Sequence, residues 1–362
     1  MKILHIHTSF TAGGIEAMIC GLANEMVKTQ EVSVCSIFKP NESDVFWNKL
    51  SPNVCKLSVG KFKPGFSITE VFKIYRLIKR GDFDVVNLHG FFYYYALTIL
   101  LLHKKVKFFY TVHSDALMEN SVWDRRLLPI KKLFFKKSWM YPITISEASN
   151  ASFVKLYGTE SELIYNGVPK PTISQDDLLS VYRISPKTKL FIHAGRISKE
   201  KNQLTLCEVF QSLINKGFDI VLIIAGSIQN KEIYNSLKPY FSDRIHYLGE
   251  RNDVPQLMSN CDAMCLPSIW EGLPVTLLEA LSVGCIPICS NVGGIPNVVT
   301  DRKNGFLSSS SSKKDYLATM EYFLSLENEQ LKIVKMDCIK SFEKFDILNT
   351  ANSYLNYYQS KL

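Results

Sequence analysis

Short apolar runs alternate with helix-periodic stretches along this chain, and that alternation restricts the fold more than any other feature. Residues 3–8, 32–38, 54–59, 85–89, 108–113, 143–146 and 163–165 read as strands, with helices at 16–28, 69–79 and 147–157. Runs at 190–193, 220–225, 245–248, 263–266 and 286–289 continue the strand series, with helices at about 203–216 and 275–283. Such a repeat puts helices on both faces of a mostly parallel sheet, so the fold class is α/β. At 362 residues the chain exceeds one ordinary core, and two domains are expected. Pro169 and Pro171 open a polar stretch where the break should fall, giving domains over 1–170 and 171–344. A last helical stretch, 347–358, carries Leu348, Leu355 and Tyr358 on one face. It is expected to cross back, so that about 345–362 joins the first domain.

Composition narrows the function classes. Forty-six per cent hydrophobic and 21% charged residues are ordinary for a globular protein. The net charge of +8 is spread along the chain, which argues against nucleic acid as a partner and fits anionic ligands or an anionic membrane face. The nine cysteines include no C-x-x-C; Cys261 with Cys265 and Cys285 with Cys289 lie in apolar runs without histidine partners. They read as buried reduced thiols rather than a zinc site, which points to a reducing compartment. The first ten residues read as a strand and lack a signal-peptide pattern. The longest uncharged apolar run, 91–102, is too short to span a bilayer. A cytoplasmic location is expected. Residues 125–137, RRLLPIKKLFFKK, hold six cations among aliphatics and Phe134 and Phe135. On a helix they predict peripheral contact with the anionic inner face of the cytoplasmic membrane, against the alternative of a solvated face packed on its own core.

In a parallel sheet, ligands bind beyond the carboxyl ends of the strands. After the first strand come Ala12, Gly13 and Gly14, where backbone can approach a ligand ahead of a helix. His89 precedes the aromatic cluster 91–95, and His113 ends another strand. The Asp82–Phe83–Asp84 triplet precedes its strand, at the wrong end for a metal, and reads as solvated turn residues. In the second half, Gly195, Arg196 and Lys201 surround a strand-to-helix turn suited to a diphosphate. The densest signal is PSIWEGLPVTLLEALSVG, 267–284. Pro274 fits the first residue of a helix that stops at Gly284. Apolar residues almost all round predict burial, so Glu279 within that helix needs a partner, and Lys201 shows none in sequence. Glu271 stands beside the helix N-terminus, an anion site. Carboxylates on either side of a phosphate-ready helix end suit a nucleotide-sugar.

The E-x7-E pattern within P-S-x-x-E-G-L-P-x-x-L-L-E-A resembles the signature of retaining glycosyltransferases of family 4, which have the GT-B architecture of two Rossmann-like domains facing across a cleft. G-R-x-x-x-x-K, Y-N-G-V-P at 165–169 and Leu248–Val254 follow that pattern in order. The E-G-L-P form is similar to that of transferases building bacterial capsule and exopolysaccharide. The resemblance implies that Arg196 and Lys201 neutralise the donor diphosphate and that Glu279 holds the ribose hydroxyls. Glu271 and the backbone of Gly272, Leu273, Pro274 and Val275 would hold the sugar and phosphate, with Gly13, Gly14, Arg251 and Asn252 also facing the donor. His113 would contact the transferred sugar. One departure stands out: the usual G-G-I-P-E ends here in Asn297.

The implied reaction is retaining transfer from a nucleotide-diphosphate sugar to a glycan or lipid-linked acceptor, with no metal or other cofactor. Front-face attack with the donor phosphate as base belongs to the family chemistry. Rival readings are another GT-B enzyme, such as an epimerase or a phosphorylase, or a non-catalytic partner subunit. A decayed subunit should have lost Arg196, Lys201, Glu271 or Glu279, and all four are present. A dehydrogenase would need the dinucleotide glycine fingerprint, which neither glycine turn fits.

Overall fold

The computed structural model describes residues 1–11, 13–42, 44–63 and 65–362. The chain divides into two compact units, one of Met1–Pro169 with Phe345–Leu362 and one of Lys170–Lys344. Strands of the first unit are β1 (Lys2–His7), β2 (Glu31–Phe38), β3 (Cys55–Lys61), β4 (Val85–His89), β5 (Lys107–Val112), β6 (Tyr141–Thr144) and β7 (Glu162–Leu163). They form a parallel sheet in the order β3-β2-β1-β4-β5-β6-β7. Strands of the second are β8 (Lys189–Ala194), β9 (Ile220–Ala225), β10 (Ile245–Tyr247), β11 (Ala263–Leu266), β12 (Ile286–Ser290) and β13 (Phe306–Ser308). Their order is β10-β9-β8-β11-β12-β13, again parallel.

Helices cover both faces, so central strands such as β9, IVLIIA, are buried along their whole length. Each sheet reverses its winding once, between β1 and β4 in the first unit and between β8 and β11 in the second. Loops after those strands diverge at the reversal and leave a crevice for a ligand. This feature positions everything that follows.

Residues 345–362 are part of the first unit. The Ile347 N–H donates to Val168 O at 3.1 Å and the Val168 N–H to Phe345 O at 3.0 Å. The helix Ile347–Gln359 buries Ile347, Ala351, Tyr354 and Tyr358. Tyr358 Oη accepts from Asn87 Nδ2 at 2.8 Å. Leu348, expected on this face, is exposed: the i, i+4, i+7 row starts one residue earlier. Ser308 ends β13 and is buried.

The basic stretch also departs from expectation. The helices Val122–Arg126 and Leu128–Lys136 carry it, but Lys131, Phe134 and Phe135 point into the core. Lys131 Nζ donates to Asn120 Oδ1 at 3.1 Å and lies 4.0 Å from the Tyr110 ring centroid. Burial holds its pKa below that of an ordinary lysine, and the charge of Glu119 opposes the shift. Of the six cations counted in the stretch, Lys131 belongs to the core. The described residues contain no helix long and apolar enough to cross a membrane.

Candidate active site

In the second unit, the loop after β8 and the loop after β11 are stitched together at the sheet reversal. The Ile269 N–H donates to Glu200 O at 2.8 Å. Asn202, left-handed at φ +56°, sends its side-chain N–H to Pro267 O and Ser311 O, both at 3.0 Å. From beneath, Gln203 is fully buried and gives Nε2–H to Arg196 O at 2.8 Å. Gln203 Nε2 also lies 3.1 Å from His193 Nε2, while His193 Nδ1 donates to Cys265 O at 2.9 Å. Because a carbonyl only accepts, His193 carries its proton on Nδ1. Desolvation pushes its pKa down to about 4, so it stays neutral as a strut.

Lys201 and Glu271 meet on this frame. Lys201 Nζ donates to Glu271 Oε1 at 2.7 Å, and Ser268 Oγ donates to the same oxygen at 2.6 Å. Glu271 is 7% exposed. Lys201 therefore has a structural partner, contrary to its reading as an unpaired turn lysine. Arg196, by contrast, is exposed, and among the described residues its guanidinium forms no ion pair. The arrangement presents one uncommitted cation and one cation shared with a carboxylate.

The helix Val275–Ser282 starts directly after. Pro274 is its N-cap with extended backbone, φ −69° and ψ 123°, not its first turn as expected. Leu273, Pro274 and Val275 are buried, so any ligand meets them through backbone. The helix is not apolar all round. Thr276 and Glu279, one turn apart, share a half-buried strip, and the expected full burial of Glu279 does not hold. Gly284 sits at φ +69° just past the C-terminus. Gly272 O accepts from the Gly294 N–H at 2.7 Å. After β10, Arg251 is bound to Asp253 through two bonds, 2.9 and 2.6 Å, which commits its guanidinium; Asn252 beside it is exposed.

In the first unit, Gly13 caps the helix Gly14–Met26, and Ala12 lies outside the described residues. A Cβ on Gly13 would meet the Glu16 carboxylate, so the glycine admits that side chain. His113 sits one residue beyond β5 and is nearly buried. Its N–H donates to Glu119 Oε2 at 3.0 Å, and its Nε2 is 2.9 Å from His89 Nδ1. His5 and His7 join them from β1: His5 Nδ1 is 3.3 Å from His89 Nε2, and His7 Nδ1–H donates to His89 O at 3.1 Å. His7 Nε2 faces Glu16 at 3.6 Å. Desolvation lowers the pKa of His5 to about 4 and of His113 to about 3, and holds His89 well below 6.5. His89 and His113 stand out in the sequence by their place at strand ends, whereas His5 and His7 do not. Their i, i+2 spacing on β1 places both on one face and was the available signal.

Matches to known proteins extend over most of the chain. The family model for glycosyltransferase family 4 matches residues 12–170, and that for glycosyl transferases group 1 matches 174–336. A UDP-Gal:alpha-D-GlcNAc-diphosphoundecaprenol alpha-1,3-galactosyltransferase of Escherichia coli is 29% identical over 66% of this chain and 65% of its own length. The capsular polysaccharide biosynthesis glycosyltransferase CapH of Staphylococcus aureus is 24% identical over 100% of this chain and 99% of its own. Among solved structures, Anabaena HepE in complex with UDP matches with a TM-score of 0.79 at 19% identity over the full length of both chains. With both sheets parallel and both halves matched in order, the chain belongs to the GT-B glycosyltransferases, its first half of family 4 and its second of group 1.

Proposed function

We propose that this enzyme is a retaining glycosyltransferase that moves a sugar from a nucleotide-diphosphate donor to a lipid-linked or glycan acceptor in surface-polysaccharide assembly. One observation carries the reading: Lys201 and Glu271 are held against each other at the sheet reversal, with Arg196 exposed beside them. Breaking a sugar–phosphate bond leaves charge on the diphosphate. Arg196, Lys201 and the N–H groups opening the helix Val275–Ser282 are the groups assigned to stabilise it. Glu271 orients Lys201 and takes a sugar hydroxyl, Glu279 takes the ribose, and His113 meets the transferred sugar. Gly13 and Gly14, with Asn252 and the backbone around Arg251, complete the donor contacts. No metal has a part in this scheme. The acceptor follows relatives whose names specify diphospho-undecaprenol substrates and capsule biosynthesis.

The test is transfer from labelled UDP-, GDP- and ADP-sugars to a diphospho-lipid acceptor in EDTA. One donor should give a glycosylated lipid with the donor's anomeric configuration. Transfer that vanishes with EDTA and returns with Mn²⁺ contradicts the metal-free scheme, and release of free sugar alone contradicts the transferase reading.

The same proposal includes contact with an anionic membrane through the first unit. Arg125, Arg126, Lys132, Lys136 and Lys137 are exposed there, alongside Trp123, Ile130 and Leu133 at 44%, 41% and 44% exposure. Near an anionic surface each such cation contributes about 1 kcal/mol, screened by salt. The enzyme is expected to sediment with anionic liposomes at low salt and to stay in solution at high salt. A variant with those five cations changed to Gln should remain soluble at both; its sedimenting like wild type would refute the contact.

A further inference from the structure

His5, His89 and His113 form a single file of imidazoles inside the first unit. The Nε2 of His113 is 2.9 Å from the Nδ1 of His89, whose own Nε2 is 3.3 Å from the Nδ1 of His5. Ring centroids follow at 5.1 and 5.5 Å, with 31° and 28° between the planes. His5 and His89 are fully buried, and burial keeps all three rings neutral. A neutral imidazole has one donor nitrogen and one acceptor nitrogen. Fixing the proton on any one ring therefore fixes it on all three.

Only two arrangements satisfy both links. In the inward one, His113 Nε2–H donates to His89, His89 Nε2–H donates to His5, and His5 is left with an Nε2–H. In the outward one, His5 Nδ1–H donates to His89, His89 Nδ1–H donates to His113, and His113 is left with an Nδ1–H. The end atoms decide between them. His5 Nε2 is buried and has no partner among the described residues. The inward arrangement strands an N–H donor there, which folded proteins avoid more strictly than a bare lone pair. His7 does not compete for the file. Its Nδ1–H is spent on the His89 carbonyl and its Nε2 faces Glu16.

We propose that the file runs outward, and that His89 and His5 are positioning residues that hold His113 as the Nδ1–H tautomer. Among the described residues that Nδ1 has no partner, so it is the atom left to bond a ligand. His113 then acts as a neutral hydrogen-bond donor to an oxygen of the donor sugar, and not as a base. This role for the Nδ1–H rests on the proposal that His113 meets the sugar; the tautomer itself does not.

Long-range ¹H–¹⁵N correlation spectra of the histidine rings in the whole protein at neutral pH test the tautomer without substrate. His113 is expected to show a protonated Nδ1 and an unprotonated Nε2. The His89→Asn amide can still donate to His113, while His89→Leu cannot. In His89→Leu the His113 signals should shift toward the other tautomer and turnover should drop roughly ten-fold, the loss of one hydrogen bond. His89→Asn should restore both readings to within about two-fold of wild type. His5→Leu, one ring further from the ligand, gives the same shift should His89→Leu fail to fold. A wild-type His113 protonated on Nε2, or a His89→Leu protein with wild-type tautomer and turnover, overturns the proposal. A wild type showing the Nδ1–H tautomer while transferring no sugar from any donor would strike the transferase reading alone.

Discussion

Replacing Lys201 with Met is expected to lower transfer on the order of 10²- to 10³-fold, the usual effect of removing one preorganised charge from a transition state. It should also lower stability. Glu271 is 7% exposed and loses its cation, keeping, among the described residues, the Ser268 hydroxyl at 2.6 Å. Breaking a largely buried pair on one side leaves an uncompensated charge, here roughly 2–3 kcal/mol because Lys201 retains some solvent. The double variant Lys201→Met, Glu271→Gln separates the two effects. It removes the stranded carboxylate, so thermal stability should recover most of the loss while transfer stays low. Recovery of both would reduce the pair to a structural strut, and wild-type transfer in the single variant would remove Lys201 from the chemistry.

Gly293→Ala should be nearly as damaging without touching any charged group. Gly293 sits at φ +56°, and a Cβ there would lie 1.7 Å from the Glu271 carbonyl oxygen and 2.8 Å from its carbon. Backbone faces backbone, so no rotamer can relieve the clash. Strain and overpacking together amount to on the order of 3 kcal/mol. The displacement falls on the residue that holds Lys201, so donor binding should weaken with stability. Gly217→Ala is the control. Gly217 is at φ +88° with nothing within 4 Å of its Cβ, so only backbone strain is incurred and donor binding should be unchanged. Melting curves of both variants, with and without donor, check this; equal effects at the two glycines contradict it.

How far the sequence was legible varies with the kind of interaction. Parallel strands buried on both faces announce themselves as unbroken apolar runs, so β9 and β11 are read directly. β13 was missed because three residues, Phe306–Ser308, give no period. Helix faces were legible to about one position. Leu348 was assigned inward where Ile347 is, and Lys131 was counted with the cations of a basic stretch although three aromatic rings and Asn120 make room for it in the core. At the site, Arg196, Lys201, Glu271 and Glu279 were found by motif spacing. Their partners were not, because Lys201 and Glu271 are 70 residues apart and only the sheet order brings their loops together. Gln203 and His193 carry no motif at all; their role lies in buried hydrogen bonds to backbone. The His5–His89–His113 file likewise depends on β1 pairing with β4 and β4 with β5.

The central claim is that the crevice beyond β8 and β11 holds a nucleoside diphosphate by its phosphates. Calorimetric titration of the whole enzyme with UDP, GDP and ADP, each beside its own nucleoside, measures this directly. One diphosphate should bind at least roughly 100-fold tighter than its nucleoside, equivalent to about 2.7 kcal/mol, and the Lys201→Met, Glu271→Gln variant should lose most of that margin. Equal affinities of nucleoside and diphosphate in the wild type, or an undiminished margin in the variant, would contradict the account.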